Sequence, residues 1–213
     1  MPTVTLPTQP IRLHRMKLSG HCHRVELFLS LLGLPFEMLD IDLAKGEHKA
    51  PAFLALNPFG QVPVLQDGDT TLADSNAILV YLEKRYAPGQ WLPQDALGAA
   101  AVQRWLSVAA GELNYGAGAA RVLQLFKRPD DPAAMQQRAS GLLRVMEQAL
   151  ATRPFLAGPQ ATLADIALYT YTLLAPEGGV SLAPYSNVRA WLARIEGLPG
   201  FVPMLRTPIG LTL

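Results

Sequence analysis

Two short segments of the chain combine residue types that could bind a peptide-like molecule. The first is residues 57–65, in which Pro63 precedes an apolar pair and has no backbone N–H. Such a proline can only begin a strand or lie at its edge. The bond before a proline can be cis, which would turn the backbone groups of Val62 out of the sheet. The segment therefore predicts a strand edge that pairs with the backbone of an extended ligand.

The second segment, residues 72–78, predicts a site for an α-amino acid. A turn at Asp67-Gly68-Asp69 leads into it, and Asp74 and Ser75 then open an amphipathic helix. We expect Ser75 to be the N-cap of that helix, whose free N–H groups favour a carboxylate. Asp74 can pair with an ammonium. A strand edge that binds peptide beside a site for an α-amino acid fits glutathione well.

The elements that must position these segments follow a clear pattern. The first half of the chain predicts a strand at Ile11–Arg15, a helix after Ser19, a strand at 36–41, a short helix near 51–56, strands at 63–65 and 70–72, and a helix over 74–86. The first two strands flank a helix and should be parallel. Proline and glycine accumulate over 87–95, which predicts a linker. The second half predicts a helix at 96–126, which Gly111, Gly116 and Gly118 weaken. It also predicts helices at 132–152, at 162–174 after a capping box, and at 188–195.

With these motifs in this order, the chain resembles the cytosolic glutathione S-transferases, and in particular the serine-type, theta- or nu-like bacterial members. Residues 10–86 resemble their N-terminal domain. The resemblance implies an α/β plus all-α fold: a thioredoxin-like domain (βαβ-α-ββα) over 1–86 and, after the 87–95 linker, a helical bundle over 96–213 that contributes the electrophile site. It also implies a homodimer that activates the glutathione thiolate for attack on hydrophobic electrophiles, with glutathione as co-substrate and no other cofactor.

Members of this family stabilise the thiolate with a tyrosine, a serine or a cysteine. The first tyrosine of the chain is Tyr81, which is too late for the end of the first strand, and position 19 is a serine. The segment Ser19-Gly20-His21-Cys22 resembles the Ser-x-x-Cys arrangement of the serine enzymes. We therefore expect Ser19 Oγ to donate to the glutathione sulfur, although a plain N-cap role would also explain the residue.

The neighbours of Ser19 have alternative interpretations. His21 could add a second donor to the sulfur or contact the electrophile. Cys22 falls on the apolar face of the helix, which favours a buried and inert thiol over a monothiol mechanism. His21 and His23 face different directions on a helix and have no thiol or carboxylate beside them, so no metal site is expected.

The resemblance assigns further residues to the two substrates. Glutathione is expected to contact His48, Gln61, Val62, Pro63, Asp74 and Ser75. The electrophile site is expected to include Met16, Phe59, Asn114, Tyr115 and Arg121. Four basic residues could add positive charge that attracts the anionic tripeptide: Arg12, Arg15, Lys17 and Arg24. Each could also simply pack or face solvent.

Composition excludes several other classes of function. The 18 lysines and arginines nearly cancel the 17 aspartates and glutamates, which gives no footprint for nucleic acid or an anionic membrane surface. Residues 1–7 lack the features of a signal peptide, and a single cysteine suits a reducing compartment. We therefore expect a soluble cytoplasmic protein. Two alternatives stay open: a glutathione-dependent disulfide or peroxide reductase of the same fold, and a non-enzymatic interaction module.

Overall fold

The computed structural model describes residues 6–211, which form two compact units. The first unit runs up to Trp91 and also includes Pro199–Leu205. The second comprises Leu92–Leu198 and the chain from Arg206 onward. The N-terminal stretch 1–7, in which the sequence predicts no signal peptide, lies mostly outside the described residues. The predicted domain bounds 1–86, 87–95 and 96–213 stay a prediction.

A four-stranded sheet forms the centre of the first unit. Its strands are β1 (Ile11–Arg15), β2 (Phe36–Asp40), β3 (Val64–Asp67) and β4 (Thr70–Ala73). They lie in the order β2-β1-β3-β4. As predicted, β1 and β2 are parallel, while β3 is antiparallel to both β1 and β4. The bond between Val62 and Pro63, directly ahead of β3, is cis.

Three α-helices belong to the same unit. They are α1 (Gly20–Leu31), α2 (Pro51–Leu54) and α3 (Ser75–Tyr86), with a 3₁₀ turn at Glu47–Lys49 ahead of α2. Helix α1 is buried on nearly every side, including Val25, Leu27, Phe28 and Leu29. Every element predicted for this half of the chain is present, with ends that differ by one or two residues.

The returning segment Pro199–Leu205 packs against α1 within the first unit. The hydroxyl of Ser30 donates to the carbonyl of Gly200 at 2.6 Å, and the ring of His23 hydrogen-bonds the carbonyl of Val202 at 3.0 Å. The sequence placed this segment in the helical domain, because nothing in its composition signals a return to α1.

The extended elements of the second unit, in the part that the structure describes, are all helices. Its α-helices are α4 (Ala96–Val108), α5 (Ala119–Leu125), α6 (Ala133–Leu150), α7 (Leu163–Leu173) and α8 (Ser186–Glu196). A π-helical segment, Ala109–Gly118, joins α4 to α5, and a 3₁₀ turn at Ala175–Gly178 follows α7. The long helix predicted over 96–126 is therefore present, with its middle third wound as a π-helix.

The predicted capping box opens α7, the most buried helix. Asp165 Oδ2 accepts from the N–H of Thr162 at 2.8 Å, while Asp165 Oδ1 accepts from Trp191 Nε1 at 2.9 Å and from the N–H of Leu156 at 2.9 Å. One buried carboxylate thus joins α7, α8 and the preceding loop. Among residues 6–211, none of the helices combines the length and the hydropathy that spanning a bilayer requires.

Candidate functional site

One end of the sheet brings together the segments that the sequence predicts to bind ligand. In the register of the sheet, His14 near the end of β1 pairs with Val64 at the start of β3, and Val64 pairs with Ala73 at the end of β4. Pro63 precedes Val64 and Asp74 follows Ala73, so both lie at this end. The loop after β1 leads from the same end to Ser19 and α1. The topology therefore places the Ser19, Val62-Pro63 and Asp74-Ser75 segments along one end of the sheet.

Ser19 caps the N-terminus of α1. Its Oγ accepts from the N–H of Cys22 at 3.3 Å, and the residue is half-buried. A hydroxyl at the N-terminus of a helix can donate to an anion there, where the helix dipole also favours negative charge.

Cys22 lies one turn into α1 and is 1% exposed. Its Sγ accepts from the N–H of Met16 at 3.5 Å. Burial raises the pKa of the Cys22 thiol to about 11, although hydrogen bonds from Ser19 and Met16 act in the opposite direction. A thiol in this environment stays protonated near neutral pH, which disfavours a monothiol mechanism.

The two histidines beside Ser19 have different environments. His21 is half-buried in the first turn of α1. His23 is buried, and this burial lowers its pKa to about 4, so its ring is neutral at physiological pH. Within the described part of the chain, no group of three or more potential ligands is placed to hold a metal ion.

Asp74, rather than Ser75, caps helix α3, which corrects the predicted N-cap. The exposed Asp74 carboxylate accepts at Oδ1 from the N–H groups of Asn76 and Ala77, each at 2.9 Å. Asp74 also has a φ of 71°, an uncommon value for a residue other than glycine. Ser75 is instead the first residue of the helix and is buried, and its Oγ accepts from Arg24 Nη1 at 2.8 Å. Backbone strain like that at Asp74 is concentrated at ligand sites.

The loop that leads to Val62 and Pro63 is held by its own side chains. Buried Asn57 donates through Nδ2 to the carbonyl of Gln61 at 2.8 Å and accepts at Oδ1 from the N–H of Phe59 at 3.1 Å. Pro63 is buried, Val62 half-buried and Gln61 exposed. The loop is thereby preorganised ahead of the sheet.

The same loop packs closely against the 3₁₀ turn that carries His48. Gly60 has a φ of +57°, and a Cβ at this position would lie 2.7 Å from the carbonyl oxygen of His48. Lys49 Nζ donates to the carbonyl of Phe59 at 3.1 Å. His48 is half-buried. The structure therefore brings His48 into the neighbourhood of Gln61 and Val62.

The four basic residues predicted to attract an anion are already engaged within the fold. Arg12 pairs with Glu37 at 2.9 Å, and Lys17 pairs with Asp40 at 3.0 Å. Arg15 pairs with Glu26 and Asp40, at 2.5 and 3.1 Å respectively. Arg24 is buried rather than facing solvent. Because the paired carboxylates offset these positive charges, the electrostatic attraction of an anionic tripeptide is weaker than the sequence predicts.

The residues predicted for the electrophile site fall in both units. In the first unit, Met16 is half-buried and Phe59 is 78% exposed. In the second, Asn114 is half-buried and Tyr115 is 62% exposed, and both belong to the π-helical segment. Their assembly into one site stays a prediction.

The burial of Arg121 disfavours the lining role that the sequence predicts for it. This residue is 1% exposed, and its Nε donates to Glu177 Oε2 at 2.6 Å. A guanidinium bound in this way stabilises the fold of the second unit instead of facing a substrate. The sequence could not distinguish the two roles, because the bond from Arg121 to Glu177 joins residues 56 positions apart.

The sequence assigned no role to Asn57, and it assigned Arg24 only a general positive charge. Asn57 is the first residue of the segment 57–65. Its position before Pro58 is a turn signal that could have indicated its role in holding this loop. Arg24 interrupts a helix whose neighbours Cys22, Val25 and Phe28 are apolar. A charged residue among such neighbours is a signal for a buried, bonded group.

The chain matches known families and proteins along most of its length. Residues 18–85 match the model of the N-terminal domain of glutathione S-transferases, and residues 119–199 match that of the C-terminal domain. Glutathione S-transferase 3 of Zea mays is 38% identical over 204 residues, which cover 90% of this chain and 91% of the relative. Glutathione S-transferase theta-2B of Homo sapiens is 32% identical over 186 residues, which cover 83% and 76%.

Solved structures give the same result. The crystal structure of a glutathione S-transferase from Pseudomonas fluorescens superimposes with a TM-score of 0.87 at 35% identity, covering 93% of this chain and 100% of that one. This agreement confirms the predicted fold of a thioredoxin-like domain followed by a helical domain. On these observations, the chain belongs to the glutathione S-transferase family and is an enzyme of that family.

Proposed function

We propose that Ser19 activates glutathione by donating a hydrogen bond from Oγ to its sulfur, and that the resulting thiolate attacks a small hydrophobic electrophile. The observation that carries this proposal is the position of Ser19 at the N-terminus of α1, at the same end of the sheet as Pro63 and Asp74. Cys22, the competing sulfur group, is buried and protonated.

The energetic requirement is modest. A free thiol with a pKa near 8.5 is roughly 3% ionised at pH 7. Lowering that pKa by about two units raises the thiolate to roughly three quarters, which corresponds to about 2.7 kcal/mol. A hydrogen bond to a charged group contributes about 1.5–3 kcal/mol, and a helix N-terminus adds to it. The Ser19 hydroxyl and its helix are together of the right magnitude.

The glutathione itself is proposed to lie along the end of the sheet. Val62 would pair with the cysteinyl backbone, and Pro63 would keep that strand edge open. Asp74 and Ser75 would bind the γ-glutamyl end, and His48 with Gln61 the glycine carboxylate. His21 is proposed as a second contact to the sulfur or the electrophile. Met16, Phe59, Asn114 and Tyr115 remain the proposed electrophile contacts. A homodimeric state and a cytoplasmic location are further proposals that rest on the family.

Steady-state kinetics with an activated aryl halide test the role of Ser19. We expect Ser19→Ala to lower kcat by about 10- to 100-fold, equivalent to roughly 1.4–2.7 kcal/mol, while the Kd for glutathione changes less than threefold. Ser19→Thr, which keeps a hydroxyl able to cap the helix, should recover most of the activity. Equal turnover of wild type and Ser19→Ala would remove Ser19 from the mechanism.

A parallel assay separates transfer from reduction. The same proteins are tested with a mixed disulfide of glutathione and with a hydroperoxide. Turnover of these substrates well above that of the aryl halide would favour the reductase alternative, which uses the same thiolate. The reverse order supports transfer to electrophiles.

A further inference from the structure

Arg24 joins the two helices that begin at the proposed glutathione site. It is 1% exposed, although it lies in the second turn of α1, the helix capped by Ser19. Its Nη1 donates to Ser75 Oγ at 2.8 Å and to Asn76 Oδ1 at 2.8 Å. A single guanidinium nitrogen therefore holds the first two residues of α3. Taking the charge of an arginine out of water costs free energy. We therefore expect this buried arginine to have a specific role.

The chemistry of the pair determines which way the Ser75 hydroxyl works. A guanidinium has only donors, so Ser75 Oγ must accept in its bond with Arg24. A serine hydroxyl has one hydrogen of its own, which is then left to donate to another group. Arg24 thereby fixes Ser75 as a donor. A donor at the N-terminus of a helix is matched by a carboxylate.

The neighbouring Asp74 supplies the complementary half. Its carboxylate is exposed at the cap position, while Ser75 is held from inside the unit by Arg24. An α-amino acid carries an ammonium and a carboxylate on one carbon. Asp74 suits the ammonium and a donating Ser75 suits the carboxylate. The orientation of the ligand then depends on Ser75 keeping its donor role.

We propose that Arg24 is a positioning residue for the α-carboxylate of a γ-glutamyl ligand and acts through the hydroxyl of Ser75. This inference rests on the proposed function, in which Asp74 and Ser75 bind the γ-glutamyl end of glutathione. It adds a buried residue on α1 to the recognition of that end, although Arg24 itself does not touch the ligand.

The test compares two ligands that differ only in the α-carboxylate. Calorimetry measures the Kd of glutathione and of 4-aminobutanoyl-cysteinylglycine for wild type, Arg24→Gln, Ser75→Ala and the double variant. We expect wild type to prefer glutathione at least 30-fold and Arg24→Gln to reduce this preference at least tenfold. Binding of the analogue should change less than threefold. When Ser75 is already alanine, adding Arg24→Gln should change the preference for glutathione over the analogue by less than threefold.

The outcomes separate a positioning role from a purely structural one. If Arg24→Gln weakens both ligands equally, or if its effect adds fully to that of Ser75→Ala, the inference is overturned. Wild type that binds no glutathione at millimolar concentration overturns the proposed function and this inference with it. Wild type that binds, with an unchanged preference in Arg24→Gln, overturns this inference alone.

Thermal unfolding of each variant checks its fold. If Arg24→Gln does not fold, Arg24→Lys carries the test, because it keeps a buried cation but has a shorter reach and lacks the planar guanidinium. We expect its preference for glutathione to fall at least threefold. A preference equal to that of wild type would overturn the inference.

Discussion

At the scale of single residues, the hydroxyl and the thiol at the start of α1 have opposite environments. Ser19 is half-buried at the helix cap, while Cys22 is buried beneath it. Burial raises the pKa of the Cys22 thiol to about 11, so roughly one thousandth is thiolate at pH 8. Any reactive sulfur at this site must therefore come from the ligand.

We predict that Cys22 is unreactive in the folded protein. An aromatic disulfide reagent at pH 8 should label the native protein far more slowly than the protein unfolded in guanidinium chloride, which should release one equivalent because Cys22 is the only cysteine. Cys22→Ala should keep turnover within about twofold of wild type. Fast labelling of the native protein, with loss of activity, would restore the monothiol mechanism.

The sequence predicts residue types at the site better than it predicts the bonds between them. The Asp74-Ser75 pair is visible because both residues are common at helix starts. Which of them caps the helix depends on the φ of 71° at Asp74, a value that the sequence does not signal. The bond from Arg24 to Ser75 joins residues 51 positions apart, and such a contact follows only from how α1 packs on α3.

At the scale of elements, the π-helical segment packs directly on α6. A Cβ at Gly116 would lie 2.9 Å from the backbone nitrogen and 3.1 Å from the Cα of Ala139, whereas a Cβ at Gly118 would meet its nearest neighbours at 3.6 Å. The first distance requires a movement of backbone and the second is ordinary contact. A methyl group therefore fits at position 118 without a backbone shift, but not at position 116.

We predict that Gly116→Ala lowers the free energy of unfolding by about 1–3 kcal/mol, because the backbone of α6 must shift to accept the methyl group. Gly118→Ala is the matched control. Its free energy of unfolding should equal that of wild type or exceed it by up to about 1 kcal/mol, since alanine restricts the unfolded chain. Urea unfolding measures both. Equal effects in the two variants would contradict this account of the close contact.

Helix α8 receives its N-terminal cap from another helix. Glu147 on α6 accepts at Oε1 from the Ser186 hydroxyl and the N–H of Asn187, and at Oε2 from the N–H of Val188. Partial burial raises the pKa of Glu147, but the hydrogen bonds from Asn187, Val188 and Ser186, together with the charge of Arg189, lower it by more, so the net shift is downward. The ionised form is thus favoured in the folded state.

The effect of Glu147→Gln should depend on pH. A lowered pKa in the folded state contributes stability above the unfolded pKa of about 4.3, and this contribution is lost as the pH falls through the folded value. We expect a loss of about 1 kcal/mol at pH 7 that shrinks below pH 4. Glu112→Gln, which breaks the exposed pair with Arg138, should change stability by less than about 0.5 kcal/mol. A pH-independent loss in Glu147→Gln would contradict the charged cap.

The elements were largely predictable because their signals are local. Hydrophobic spacing, Pro35 after α1 and the Thr162 capping box each fix an end or a face of a helix. The π-helical winding of 109–118 was not predicted, because its apolar spacing resembles that of an α-helix. The glycines indicated only a weak point there. The winding is accompanied by the close approach of Gly116 to Ala139, a contact with a residue 23 positions away.

At the scale of the whole molecule, a buried carboxylate anchors the end of the chain in the second unit. Glu177 accepts from Arg121 Nε at 2.6 Å, from the Thr207 hydroxyl at 2.7 Å and from the Thr207 N–H at 2.8 Å. Leu211 N–H also donates to the carbonyl of Pro176 at 2.9 Å. These bonds hold residues 206–211 on the turn that follows α7.

We predict that Thr207→Val lowers the free energy of unfolding by about 1.5–3 kcal/mol, because it removes a hydrogen bond to a buried charged group while keeping the side-chain shape. Thr71→Val, at an exposed position on β4, is the control and should change stability by less than about 0.5 kcal/mol. Denaturant unfolding followed by tryptophan fluorescence measures both. A neutral Thr207→Val would show that the tail is not anchored through this hydroxyl.

The account as a whole depends on one serine hydroxyl that stabilises a bound thiolate. The most direct measurement is the thiolate absorbance near 240 nm of the glutathione complex, followed against pH in wild type, Ser19→Ala and Ser19→Thr. The account predicts an apparent pKa below about 7.5 in wild type and Ser19→Thr, and a value at least one unit higher in Ser19→Ala. A bound thiol that titrates at the same pH in wild type and Ser19→Ala would contradict the central claim.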